Sequence, residues 1–222
     1  MNISITGTLG SGKSSVCKIL KENGYDIISN GVLFREIAEE KGITVVELNE
    51  LAKKDKSIDD MLDERSIRLG KELDSTIFDS RMGWHFIPDS FKVFLLADMT
   101  EAGRRVYNDN RVSESYNDSA TAKADLIKRQ LMEKKRFSDL YQTDYLNLNN
   151  YDLVIESTYA TPDQIAEQIL KGVEEKVMSQ AKLNPKSLYP AEEAKDEGEI
   201  LVTPIHNKFI LVSGLKKWKE LL

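Results

Sequence analysis

Gly7-Thr8-Leu9-Gly10-Ser11-Gly12-Lys13-Ser14, close to the amino terminus, governs how the rest of the chain reads. The eight residues satisfy G-x-x-x-x-G-K-[ST] without a mismatch, follow an apolar run at 3–6 that reads as a strand, and open a helical pattern. Each residue type has a physical reason. Glycines let consecutive amides turn inward around a phosphate, and the start of a helix adds positive potential. The lysine reaches terminal phosphate oxygens and the hydroxyl can ligate Mg2+. Gly7, Gly10, Ser11, Gly12, Lys13, Ser14 and Ser15 are therefore candidates for holding a nucleoside triphosphate, with Ser14 also a metal candidate. Cys17, further along the same helix, reads as a small core residue rather than a reactive thiol.

Outward from this loop, β-rich runs at 3–6, 25–29, 76–79, 91–97 and 153–156 alternate with helical patterns, the sign of βαβ units and a parallel sheet. The expected fold class is α/β, a three-layer sandwich around a five-stranded parallel sheet. Between the second and third strands, 32–40, 44–53 and 57–73 carry apolar residues at helical spacing, an unusually large insert over about 30–73. A polar stretch, 108–118, precedes a long helical pattern at 119–140 and has the composition of a mobile flap.

Basic residues punctuate this body. Ser29-Asn30-Gly31-Val32-Leu33-Phe34-Arg35 places a turn glycine ahead of an arginine on the first turns of a helix. On the residues alone, Arg35 is either an anion ligand or a surface arginine paired with Glu39 at i+4. Asp79-Ser80-Arg81-Met82-Gly83-Trp84 falls at the carboxyl end of a strand, where parallel sheets bind ligands. Arg129 and Arg136 lie seven residues apart, on one helix face, and read either as a pair closing on one ligand or as an exposed basic stripe balanced by Glu133 and Asp139. Arg104, Arg105 and Arg111 flank the flap and are weaker candidates.

Over residues 2 to about 170 the chain resembles the short, archaeal-type cytidylate kinases, nucleoside monophosphate kinases with a phosphate loop. The resemblance rests on that loop, the Ser29–Arg35 run, the Arg81 segment and the basic helix. It implies transfer of the γ-phosphoryl of Mg-ATP to CMP or dCMP. It also implies that Asn30, Gly31, Arg35 and Arg81 hold the acceptor, that Asp79 joins Ser14 in holding Mg2+, and that Arg129 and Arg136 at the edge of a lid (about 108–136) act with Lys13 and Arg81 on the moving phosphoryl group. Ser80 departs from the glycine usual in that family, and its Cβ would crowd a closely approaching phosphate. Trp84 is a candidate for either the acceptor pocket or the core, and Asp144 matches a family segment without an assigned chemistry.

The chain has 222 residues with 31 basic and 37 acidic side chains, a net charge of -6. That balance argues against gripping long nucleic acids or anionic membranes by bulk charge. One cysteine forbids an intrachain disulfide, and His85 and His206 lack partners at zinc-ligand spacing, so both read as local structural or surface residues. The chain is expected to be soluble, unprocessed and cytoplasmic. Composition changes near Ser179, after which lysines slightly outnumber acidic residues, so the acidity belongs to the region before it. The expected organisation is a kinase domain at 1–178, a linker at 179–198, and a β-β-α element at 199–222 that packs on the body or supports self-association. That last element is faintly similar to the second half of ParB-like or sulfiredoxin-type domains but lacks their His/Arg-rich motif, and no activity is carried over from them.

Overall fold

The computed structural model describes residues 1–109, 116–205 and 208–222. The first apolar run forms β1 (Ile3–Gly7), buried at every position, as a parallel strand covered on both faces must be. The chain continues through α1 (Lys13–Glu22), β2 (Asp26–Ser29), α2 (Asn30–Glu40), α3 (Val45–Ala52), α4 (Ser57–Glu72), β3 (Thr76–Asp79), α5 (Gly83–Phe86) and β4 (Phe91–Leu96). Then come α6 (Met99–Asn108), α7 (Ser119–Tyr141), β5 (Leu153–Glu156), α8 (Pro162–Glu175), β6 (Gln180–Lys182), β7 (Leu188–Lys195), β8 (Leu201–Ile205), β9 (Lys208–Ser213) and α9 (Leu215–Glu220).

The first six strands form one parallel sheet in the order β2-β3-β1-β4-β5-β6. The α/β fold is thus as expected, but the sheet has six strands rather than five. The sixth joins β5 through backbone pairing while Gln180, Ala181 and Lys182 all stay exposed, so no apolar alternation marks it in the sequence. The stretch 179–198, expected as a linker, carries both this strand and β7. β7 contains Pro190 and a register shift between Pro190 and Lys195, features that an edge strand tolerates and that hide it from pattern reading. With the expected hairpin of β8 and β9 it builds a second sheet, β7-β9-β8.

One face of the large sheet is covered by α1 and α8, whose Val16, Leu20, Ile165 and Ile169 pack on Ile3, Ile5, Val93 and Leu153. Phe94, Leu96 and Val154 on the other face meet Tyr145 and Tyr151, then Leu188, Phe209 and Leu211 of the small sheet. The C-terminal element therefore packs on its own body. The insert has a separate small core of Ile37, Leu48 and Ile58. Its helices start on side-chain caps: Ser29 Oγ accepts from the Val32 amide at 3.3 Å, and Thr44 and Glu47 form a capping box. Of the expected flap at 108–118, residues 110–115, Arg111 among them, lie outside the described residues, as does His206.

Parallel register aims two loops at one place. Ile5 pairs with Asp79 and Gly7 with Leu95, so the chain leaves β1, β3 and β4 at the same edge of the sheet.

Candidate active site

Gly7 closes β1 so tightly against β4 that a Cβ there would stand 2.3 Å from the Leu95 carbonyl oxygen. Gly10 and Gly12 adopt φ of 74° and 89°, left-handed values that side chains resist. Gly12 is the N-cap of α1 and offers no capping side chain, which leaves the first amides of that helix to donate outward. The loop is pinned from outside. The Ala97 amide donates to Thr8 Oγ1 at 3.2 Å, and Ser157 Oγ donates at 3.0 Å to the Ser11 carbonyl. Ser11 Oγ is buried and has no hydrogen-bond partner among the described residues.

Lys13 Nζ lies 2.9 Å from Asp79 Oδ1, with both side chains largely buried. Ser14 and Asp79 thus offer a hydroxyl and a carboxylate, and among the described residues no cluster of three or more metal-ligating side chains occurs. A set of two hard oxygen donors fits Mg2+, which keeps several waters and takes substrate phosphate oxygens as its other ligands. Cys17 is buried next to this pair; burial, with the Asp79 charge second, pushes its thiol up to about 12, so it is inert.

A cleft of about 620 Å³ opens over the loop, walled by residues 8–16, Arg81, Arg104, Arg105 and Pro162. Arg105 was the more weakly marked arginine, yet it is firmly placed. Its Nη2 donates to the Ser157 and Thr158 carbonyls at 2.7 and 3.0 Å, and its Nε donates to Glu101 at 2.9 Å. A second cleft of about 630 Å³ is bounded by Asn30, Gly31 and Arg35 from α2, Asp59 and Asp63 from α4, and Arg136 and Tyr141 from α7. Ser80 and Met82 line it too, while Arg81 between them lines the first cleft. The turn after β3 is therefore the wall between two adjoining clefts, one holding the phosphate loop and one walled by the insert.

Arg35 stands over the first turn of α2, where a Cβ on Gly31 would be 3.7 Å from its Nη1. Among the described residues no ion pair joins it to Glu39; the insert's carboxylates Glu36 and Glu40 pair instead with Arg65. Arg81 Nε donates to Glu133 at 2.8 Å and Arg136 Nη2 to Asp59 at 2.6 Å, so α7 is tied to both clefts. Arg129 Nη1 lies 3.9 Å from Asp125, and Arg129 does not occur among the described residues that line the two clefts. Ser80 Oγ accepts from the Met82 amide at 3.2 Å, an exchange within its own turn. Trp84 packs in the core beside Tyr151 and stays out of the acceptor-side cleft, and His85 is an exposed member of an aromatic group with Trp84, Phe86 and Tyr141. Asp144 pairs with Lys134 at 2.8 Å and caps its own turn.

Asp63 and Tyr141 are functional candidates that sequence reading missed. Tyr141 Oη donates to Asp63 Oδ2 at 2.9 Å across the cleft from α7 to α4. Burial raises the Asp63 carboxyl to about 6; the Tyr141 hydrogen bond opposes that shift, and the Asp59 and Asp60 charges add to it. Neither residue has a sequence signal, because α4 and α7 meet only in the fold.

A phosphate loop on a parallel sheet, beside a second cleft that carries arginines, defines a P-loop kinase. The chain belongs to the cytidylate kinase-like family, whose model matches residues 2–159. It is 34% identical over 185 residues to the cytidylate kinase of Sulfolobus acidocaldarius, covering 82% of this chain and 98% of that protein. It is 32% identical over 171 residues to the cytidylate kinase of Methanobrevibacter smithii, covering 77% and 96%. An uncharacterized protein from Eubacterium ventriosum has a solved structure that superimposes with a TM-score of 0.62 at 20% identity, over 78% of this chain and 98% of that one. The protein is thus an enzyme of the nucleoside monophosphate kinase class. Among the described residues no helix is long and apolar enough to cross a membrane.

Proposed function

We propose that the enzyme transfers the γ-phosphoryl group of Mg-ATP to CMP or dCMP. The observation carrying this reading is the pair of clefts that meet at residues 80–82, with cations on both sides of that wall. The loop amides and Lys13 bind the donor phosphates, and Arg35 with Arg81 grips the acceptor phosphate. Magnesium, when bound by Ser14 and Asp79, would neutralise charge on the donor phosphates. Arg81 and Arg136 exchange their carboxylate partners for phosphate oxygens as α7 closes over the reactants. No general base is needed, because the attacking phosphate oxygen is already ionised. Closure then serves to exclude water and suppress ATP hydrolysis.

Asp63 and Tyr141 support the cytosine assignment. An ionised carboxylate accepts from the exocyclic amine, while the Tyr141 hydroxyl turns its proton from Asp63 to the adjacent ring nitrogen. Uracil presents the reverse order of donor and acceptor on that edge and leaves both groups opposed. A coupled ADP assay across nucleoside monophosphates tests the reading. CMP and dCMP should turn over at least about 100-fold more efficiently than UMP, the discrimination available when buried polar groups are mispaired. Equal use of UMP, or preference for a purine nucleotide, would overturn it.

The same pair sets a pH dependence. Above about 6 Asp63 is ionised and accepts; below it the protonated carboxyl loses that role, so the CMP KM should climb as pH falls through about 6. The substrate's own phosphate also titrates near 6. Asp63→Asn should therefore start with a higher KM and lose only the enzyme's share of the pH limb. A wild-type-like KM and profile in this variant would remove Asp63 from base reading.

A further inference from the structure

We propose that Tyr189, on the C-terminal sheet, is a positioning residue for the donor-nucleotide cleft, acting through Asp98 on the two segments that hold Arg105. The inference rests on reading that cleft as the ATP site. Tyr189 Oη donates to Asp98 Oδ2 at 3.1 Å. The other oxygen of Asp98 caps α6, accepting from the Thr100 and Glu101 amides at 2.8 and 3.4 Å. The Asp98 amide in turn donates to Thr158 Oγ1 at 2.9 Å, and that hydroxyl is bonded to the buried Glu156. Asp98 therefore joins the start of α6 to the loop after β5.

Both segments converge on one side chain. Arg105 is carried by α6, is anchored through Glu101, and donates to the Ser157 and Thr158 carbonyls. A Cβ on Gly12 of the phosphate loop would be 4.0 Å from its Nη1. The same α6 presses on the loop itself, since a Cβ on Gly10 would meet that of Ala102 at 2.8 Å. On the far side, Lys208 Nζ stands over the Tyr189 ring at 4.2 Å and Leu188 beside it is buried, which holds the phenol in place. Tyr189 and Lys208 lie beyond residue 159, where the family match ends. The C-terminal element thereby supplies an outer support that the kinase body does not provide for itself.

The test uses the full chain and compares wild type, Tyr189→Phe, Asp98→Asn and the double variant by ATP calorimetry and by separate KM values for ATP and CMP. Tyr189→Phe should raise the ATP Kd and KM about three- to tenfold, the loss of one hydrogen bond to a charged group, with the CMP KM within about twofold. The double variant should be no worse than Asp98→Asn alone, because both changes cut the same link. A lowered melting temperature with unchanged ATP Kd, equal shifts of both KM values, or additive effects would overturn the proposal. If Tyr189→Phe does not fold, Lys208→Met replaces it: a smaller rise in ATP Kd supports the proposal and an unchanged Kd overturns it. Lys13→Ala in the same calorimeter keeps the two readings apart. Retained ATP affinity there removes the donor-site reading, whereas lost affinity there with an unmoved Tyr189→Phe removes only the role of Tyr189.

Discussion

Lys13→Ala is expected to lower kcat/KM by about 10³-fold or more, the largest loss from any single side chain in this protein. Lys13 is a largely buried ammonium 2.9 Å from Asp79, at the mouth of the glycine loop proposed to hold the donor phosphates. It neutralises Asp79, and on the proposed reading it turns to the terminal phosphate oxygens of ATP, where charge moves during transfer. Its removal leaves a half-sheltered carboxylate facing polyphosphate, so binding and chemistry both suffer. Lys13→Arg should not restore activity, because a planar fork on a longer stem does not reproduce a compact ammonium in a loop closed by Gly7 and Gly10. The check is steady-state ADP release together with ATP calorimetry. Turnover within about tenfold of wild type in Lys13→Ala would refute the donor-site assignment.

How much of this was visible in the sequence follows from what each part of the site depends on. The phosphate loop was legible because its conformation excludes most residues: Gly7 has no room for a Cβ, and Gly10 and Gly12 need left-handed backbone. Asp79 and Arg81 were legible because a parallel strand ends where ligands bind. Arg104 and Arg105 were harder, since nothing local says that α6 folds back over the loop with Ala102 against Gly10. The spacing of Arg129 and Arg136 says less about the clefts than about the helix face. Seven residues return to the same face, but they also advance about 10 Å along the axis, and the acceptor-side cleft reaches only the later of the two. Asp63 on α4 and Tyr141 on α7 are separated by two strands and two helices in the chain, so only tertiary packing brings them to 2.9 Å.

Arg81→Ala is expected to cost about 10²- to 10³-fold in kcat, whereas Arg35→Ala should act mainly on the acceptor KM. The distinction comes from where each guanidinium stands. Arg81 projects from the wall between the clefts into the donor side, 17% exposed and held at 2.8 Å by Glu133 of α7. On the proposed reading it grips the acceptor phosphate and also meets the phosphoryl group as that group crosses between nucleotides, so the larger part of its contribution belongs to the transition state. Arg35 is an exposed residue of α2 lining the second cleft, and on the proposed reading its cation acts on the acceptor phosphate equally before and during transfer. Glu133→Gln separates placement from charge: Arg81 remains but loses its ionic anchor, and kcat should fall by less than about tenfold. Measuring kcat, both KM values and acceptor-free ATP hydrolysis decides the matter. If Arg35→Ala lowers transfer to CMP and acceptor-free hydrolysis equally, Arg35 does not hold the acceptor. If Arg81→Ala changes only KM, Arg81 binds the ground state and the charge that stabilises transfer must come from Lys13 and Arg136.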